Sequence, residues 1–117
     1  MSLLLFDIPD QTPLIRLYGE EVQHVVAMEE CSELIQAISK NYRAQNLPNT
    51  CETRDKARLN LIEEAADVLV CLQQMMTIYK ITELDIQCFI DKKCKRQEER
   101  VNAELNRRNC GRETCEA

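Results

Sequence analysis

Two glycines and three prolines in 117 residues leave this chain few places to turn sharply. Tryptophan is absent and aromatic residues make up only 4%, while Leu, Ile, Ala, Glu, Lys and Gln are plentiful. That balance favours helix over strand. No apolar run approaches the roughly 20 residues of a membrane span. "MSLLLF" is too short for the apolar core of a secretory leader, and acidic Asp7 and Asp10 follow it. An excess of positive charge is missing too: the net charge of −5 argues against non-specific nucleic-acid binding as the main role. The expectation is a cytoplasmic protein that engages neither membrane nor nucleic acid. The seven cysteines are odd in number and come without a secretion signal, so a disulfide framework is not expected. Cys31 and Cys71 fall on apolar helix faces and read as small buried hydrophobes. Cys110 and Cys115 lack a second ligand pair, which argues against structural zinc.

Apolar residues at 44% and charged residues at 30% describe an ordinary globular composition, and the length suits one domain with one core, residues 1–117. Pro9 and Pro13 break any helix near the start, so residues 1–17 read as an irregular arm carrying Leu3, Leu5, Phe6, Leu14 and Leu17. A long helix is expected from about Tyr18 to Ala44, ended by "QNLPN". Asn49 can cap the next helix with Glu52 in the box position, and that helix should reach about Tyr79. Thr82 and Asp85 form a second box, opening a last helix over about Glu83 to Arg107. Residues 108–117, with Gly111 as a stop, read as a fraying tail. The fold class is therefore all-α: long antiparallel helices with a four-helix-bundle-like core. One chain has too few helices to cover its apolar faces, so homo-oligomerisation, as a dimer or tetramer, should complete that core.

Two stretches pose a problem. In "MEECSELIQAISK", Met28, Cys31, Leu34, Ile35 and Ile38 are spaced like a buried stripe, yet Glu29, Glu30 and Glu33 stand among them. "LIEEAADVLVCLQQMM" repeats the arrangement with Glu63, Glu64 and Asp67. With Glu30 at the origin of a helical wheel, Ala27, Leu34, Ile38 and Cys31 lie at roughly 40 to 100°, Ala37 at roughly −20° and Glu33 at roughly −60°. Glu29, at roughly −100°, points outward. The second stretch superposes on the first without a gap: Glu64 takes the place of Glu30, Asp67 that of Glu33 and Glu63 that of Glu29. Four carboxylates, Glu30, Glu33, Glu64 and Asp67, are thus expected on or at the border of buried faces.

An ionised carboxylate is costly to bury unpaired, and four together repel each other. Protonation, pairing with Lys or Arg, or a divalent cation would each relieve them. Pairs at i, i+3 on two facing helices supply oxygen ligands without His or Cys, which suits magnesium, with manganese as a substitute. On the last helix Phe89, Lys93, Arg96 and Arg100 share one face, and their cations can take phosphate oxygens. Each feature also has a plainer reading, as charges bordering a core or as a solvated basic stripe. The duplication of the acidic pattern favours the metal.

"EECSEL" followed by "EEAADVL" resembles the E-x-x-E…E-x-x-D signature of the MazG-type, all-α nucleoside triphosphate pyrophosphohydrolases. "KKCKRQEER" resembles the basic segment of the smaller members, and the likeness covers about Val22 to Val101. The resemblance implies a homo-oligomeric helical bundle that hydrolyses a nucleoside triphosphate to the monophosphate and pyrophosphate with magnesium, in the service of nucleotide-pool cleaning. It implies Glu30, Glu33, Glu64 and Asp67 as metal ligands, and Lys93, Arg96 and Arg100 as phosphate-binding residues. Glu30 or Glu63 would orient the water that attacks the α-phosphorus. It carries over no base-recognition motif; His24 could contact a base, although a lone His is more often structural. Two alternatives stand beside this reading: an inactive helical interaction module, and an enzyme resembling the phosphoribosyl-ATP pyrophosphohydrolases.

Overall fold

The computed structural model describes residues 6–47 and 53–116, with side chains as far as 112. Four helices appear in order: α1, Thr12–Tyr18; α2, Glu20–Asn46; α3, Arg54–Tyr79; and α4, Glu83–Glu116. Among the described residues there is no strand, so the all-α expectation holds.

Part of the expected arm is helical. Asp10 starts α1, its Oδ1 accepting from Thr12 N at 3.1 Å and from Thr12 Oγ1 at 2.8 Å. Pro13 falls in the first turn, where its missing N–H has no intrahelical partner to lose; proline forbids a helix through this point but not one beginning at it. Gly19 closes α1 by donating to Ile15 O at 2.8 Å. It then redirects the chain into α2 at φ 91°, a conformation L side chains rarely adopt. That is why α2 begins at Glu20 rather than Tyr18. Glu20 and Glu21 in its first turn complement the helix dipole. The expected Asn49–Glu52 box lies outside the described residues. Thr53 is the observed cap of α3, its Oγ1 accepting from Lys56 N at 3.2 Å. The helix runs unbroken to Tyr79 and ends at Lys80 in the left-handed region, φ 54°.

The Thr82–Asp85 box forms as expected: Asp85 N donates to Thr82 Oγ1 at 3.1 Å, and Thr82 N to Asp85 Oδ2 at 2.8 Å. The end of α4 differs from the expectation. The helix passes Arg107 and Gly111 and continues to Glu116. Arg107 and Arg108 both bond Glu104, at 2.6 and 3.0 Å, and such i, i+3 and i, i+4 pairs favour continued helix. A lone glycine weakens a helix without stopping it.

The chain divides into two compact units, Met1–Lys80 and Ile81–Ala117. In the first, α2 and α3 form an antiparallel hairpin. Near its loop end, Gln45 Nε2 donates to Arg54 O at 3.0 Å. At the other end the His24 ring meets Tyr79 OH at 2.7 Å, edge to face, with centroids 5.6 Å apart. The helices approach over small residues: Ala37, Ala44 and Ala57 are buried with Cys71 and Met76, and α1 adds Ile15. No large side chain is fully buried among the described residues. The expected buried stripe is therefore only partly buried. Met28 is 65% exposed, Ile35 68%, Ile38 53%, and Cys31 is exposed as well. They flank the seam instead of filling it, because the packed face is centred on Glu30 and Ala37. The second unit is α4 alone, with Leu84, Phe89, Val101 and Leu105 exposed. No helix among the described residues is long and apolar enough to cross a membrane.

Candidate metal centre

The antiparallel hairpin brings Glu30 and Glu33 of α2 against Glu64 of α3. One carboxylate oxygen from each lies within 4.8 Å of the other two. Glu30 and Glu64 are half-buried and Glu33 is exposed. The Oε2 atoms of Glu30 and Glu64 are wholly buried and have no hydrogen-bond partner. Asp67 is exposed and stands outside this trio, as does Glu63. Of the four carboxylates expected on or at the border of buried faces, Glu30 and Glu64 are drawn into the seam, while Glu33 and Asp67 are exposed, as their wheel position of roughly −60° allows.

The electrostatics follow from this crowding. Burial pushes the Glu30 carboxyl above the ordinary carboxylate range; the charges of Glu33, Asp67 and Glu64 add to the shift, as does a hydrogen bond with Glu33. Glu64 is raised in the same way, by burial first, then by Glu33 and Asp67, with Glu63 contributing least. Asp67 therefore acts on both inner carboxyls although it stands apart from them. Beneath the site, burial raises the Cys71 thiol, and Glu30, Asp67 and Cys31 raise it further. Among the described residues no ion pair reaches the trio; those present are on Glu104 in α4.

Of the three ways to relieve buried carboxylates, pairing with Lys or Arg is thus unused. What remains is proton uptake or a cation. The donor set is all oxygen, two of its atoms are buried and unpartnered, and no His or Cys belongs to the trio. A hard divalent cation of the magnesium or manganese kind fits such a set.

The other expected site residues are placed as follows. Lys93, Arg96 and Arg100 are exposed on α4, in the second unit. Lys92 lies over the Phe89 ring, Nζ 5.5 Å from its centroid. His24 is tied at both nitrogens. Its Nδ1 donates to Glu20 O at 2.6 Å, since a carbonyl can only accept, and in the neutral ring Nε2 accepts from Tyr79 OH. That is a structural role. His24 also borders an open groove of about 480 Å³ with Ala27, Met28, Cys31, Ser32, Ile35 and Met75. On the wheel Met28 and Ile35 lie at roughly 160° and 140°, across α2 from Glu33, so the groove opens on the side away from the acidic edge.

Two buried polar residues escaped the sequence reading: Gln23 and Gln74, each 4% exposed. A glutamine in a helical pattern reads as solvent-facing, and nothing local shows that α1 folds over it.

Residues 20–103 match the family model of the MazG nucleotide pyrophosphohydrolase domain. The match spans α2, α3 and most of α4. No curated protein and no solved structure matches the chain. The helical order, the paired acidic motifs and a match over most of the sequence agree: the chain belongs to the MazG nucleotide pyrophosphohydrolase domain family.

Proposed function

We propose that this protein hydrolyses a nucleoside triphosphate to the monophosphate and pyrophosphate in a magnesium-dependent reaction. The observation that carries the reading is the trio of Glu30, Glu33 and Glu64 with two buried, unpartnered oxygens, in a chain of this family. Glu30, Glu33 and Glu64 would hold the cation, with Asp67 as a fourth ligand from the open edge. The cation, when bound, supplies Lewis-acid polarisation of the phosphate oxygens. The chain's own carboxylates do the rest. Glu30 or Glu63 orients a water toward the α-phosphorus and accepts its proton as the phosphorus–oxygen bond to pyrophosphate breaks. Burial and the neighbouring carboxylates raise the proton affinity of Glu30, the direction that favours a carboxylate as a base. Lys93, Arg96 and Arg100 are assigned to phosphate oxygens on their side-chain chemistry.

The whole chain, residues 1–117, acts as one domain on this reading, and it works as a homodimer or homotetramer. The exposed Met28, Ile35, Ile38 and Tyr42 are the surfaces that a second copy would cover. Cytoplasmic nucleotide-pool cleaning is the role that fits.

The test is a panel of canonical and modified nucleoside triphosphates, with phosphoribosyl-ATP included, incubated with magnesium and scored for pyrophosphate. Release from at least one nucleoside triphosphate is expected. No release from any member would replace this reading with that of a helical interaction module.

A further inference from the structure

We propose that α4 pairs in parallel with the α4 of a second copy of this chain, along a seam of Ile86, Ile90, Cys94, Gln97, Val101 and Leu105. This surface is made of different residues from the α2 face assigned above to a second copy, and it does not depend on the hydrolase reading.

The starting observation is a regular stripe on a long helix. The match to the family domain ends at residue 103, whereas α4 continues to Glu116. Along α4, Ile90, Val101 and Leu105 are 40%, 56% and 53% exposed. Cys94 is exposed and Ile86 is half-buried. Gln97, Val101 and Leu105 each stand eleven residues after Ile86, Ile90 and Cys94 in turn. An 11-residue repeat gives about 3.67 residues per turn, which holds a seam on one side of a nearly straight helix. With Ile86 at the origin of the wheel, the six residues span roughly 0 to 100°. A single exposed apolar side chain needs no explanation; a stripe sustained over about five turns does.

The charges beside the seam say what covers it. Lys93 and Arg100 lie at roughly −20° and −40°, along one flank, and Asp91 and Glu98 at roughly 140° and 120°, along the other. All four are exposed. Among the described residues the ion pairs of α4 are those of Glu104 with Arg107 and Arg108, and Lys93, Arg100 and Glu98 carry none. Two parallel copies of this helix set the basic flank of each against the acidic flank of the other. Lys93 of one copy then comes within reach of Glu98 of the other, and the two-fold axis makes that pair twice. An antiparallel pair would instead set each flank against its own kind, with Lys93 and Arg100 facing cations. The helix is therefore complementary to itself in one direction only. Gln97 meets the Gln97 of the second copy inside the seam, where a polar pair fixes the register. An ammonium has three donors, so Lys93 can serve Glu98 and a phosphate oxygen together.

The experiment exchanges the flanking charges and reads association of the full chain by analytical ultracentrifugation over a dilution series, without substrate. Lys93→Glu and Glu98→Lys should each weaken association at least about 10-fold, because each replaces both symmetric ion pairs by like-charge contacts. The double variant, Lys93→Glu with Glu98→Lys, restores opposite charges and should return to within about 3-fold of the parent, allowing for the uneven strength of surface pairs. Circular dichroism of all three should match the parent. Single variants that associate as the parent does overturn the proposal, as does a double variant no better than the singles. Tighter association of Lys93→Glu also overturns it, since that is the mark of an antiparallel pair. A second measurement needs no variant. Carbodiimide coupling in a mixture of isotope-labelled and ordinary chains should join Lys93 of one copy to Glu98 of another, seen by mass spectrometry as a mixed-isotope peptide. Coupling confined to single chains overturns the pairing.

Discussion

Glu64→Gln isolates the charge at the centre of the hairpin. The substitution keeps the size of the side chain and one acceptor oxygen, and it removes one of the three negative charges gathered within 4.8 Å. Two opposite effects follow. Toward a cation, the site loses a ligand charge. Disturbing mere outer-shell partners weakens metal binding about 10- to 100-fold, so losing a direct ligand should cost at least the lower figure. Turnover should fall by at least about 100-fold, the scale seen when one electrostatic contact to a transition state is removed. Toward the metal-free fold, the change is benign. Glu64 is raised by burial and by the charges of Glu33, Asp67 and Glu63, and an amide suffers none of that repulsion. The metal-free variant should therefore melt at or above the parent's temperature. The assays are manganese titration by calorimetry, pyrophosphate release with the best substrate, and thermal melting followed by circular dichroism in chelator. Glu29→Gln is the control, because Glu29 is exposed and outside the trio; it should change metal binding and turnover less than about 2-fold, within the range of a distant surface charge. If Glu64→Gln binds manganese and turns over as the parent does, the carboxylates are only a charged border to a core, and the metal reading is wrong.

In chelator, stability should depend on pH in the direction set by Glu30 and Glu64. Their folded values lie above the ordinary 4.5, so the folded state takes up protons as pH falls and the penalty present at neutrality is relieved. The melting temperature should rise as pH falls from neutrality toward the ordinary carboxylate value, and saturating magnesium at neutral pH should abolish the difference; a flat or opposite profile refutes the crowding. Ala37, 0% exposed between the helices, has no room for a larger side chain, and Ala37→Leu should cost about 1–3 kcal/mol in urea denaturation. Met28→Lys combined with Ile35→Lys, at 65% and 68% exposure, should shift light scattering from an oligomer toward the 13.6 kDa chain. A parent that already scatters as a 13.6 kDa particle sinks the oligomer outright.

Local chemistry accounts for much of the secondary structure. Thr82 and Asp85 cap α4 through bonds within one turn, and α3 ends after Tyr79 where Lys80 turns left-handed and donates to Met76 O. The acidic pairs were equally legible, because i, i+3 spacing puts Glu30 and Glu33 on one side of any helix they occupy. Tertiary structure decided what depends on the rotation of one helix against another. A wheel orders the residues around an axis but does not say which direction meets a neighbour. The packed face proved to be centred on Glu30 and Ala37, so Met28, Ile35 and Ile38 stand exposed and Asp67 falls outside the trio. Pro9 and Pro13 marked where a helix could not pass, but the hydrogen bonds of Asp10 and the backbone of Gly19 made α1 from what remained. Gln74 was the least legible residue. Its burial comes from α1, and its bond to Gln11 crosses 63 positions of sequence. Burial sums over neighbours brought together by the whole fold, whereas capping and periodicity act within a turn or two of the chain.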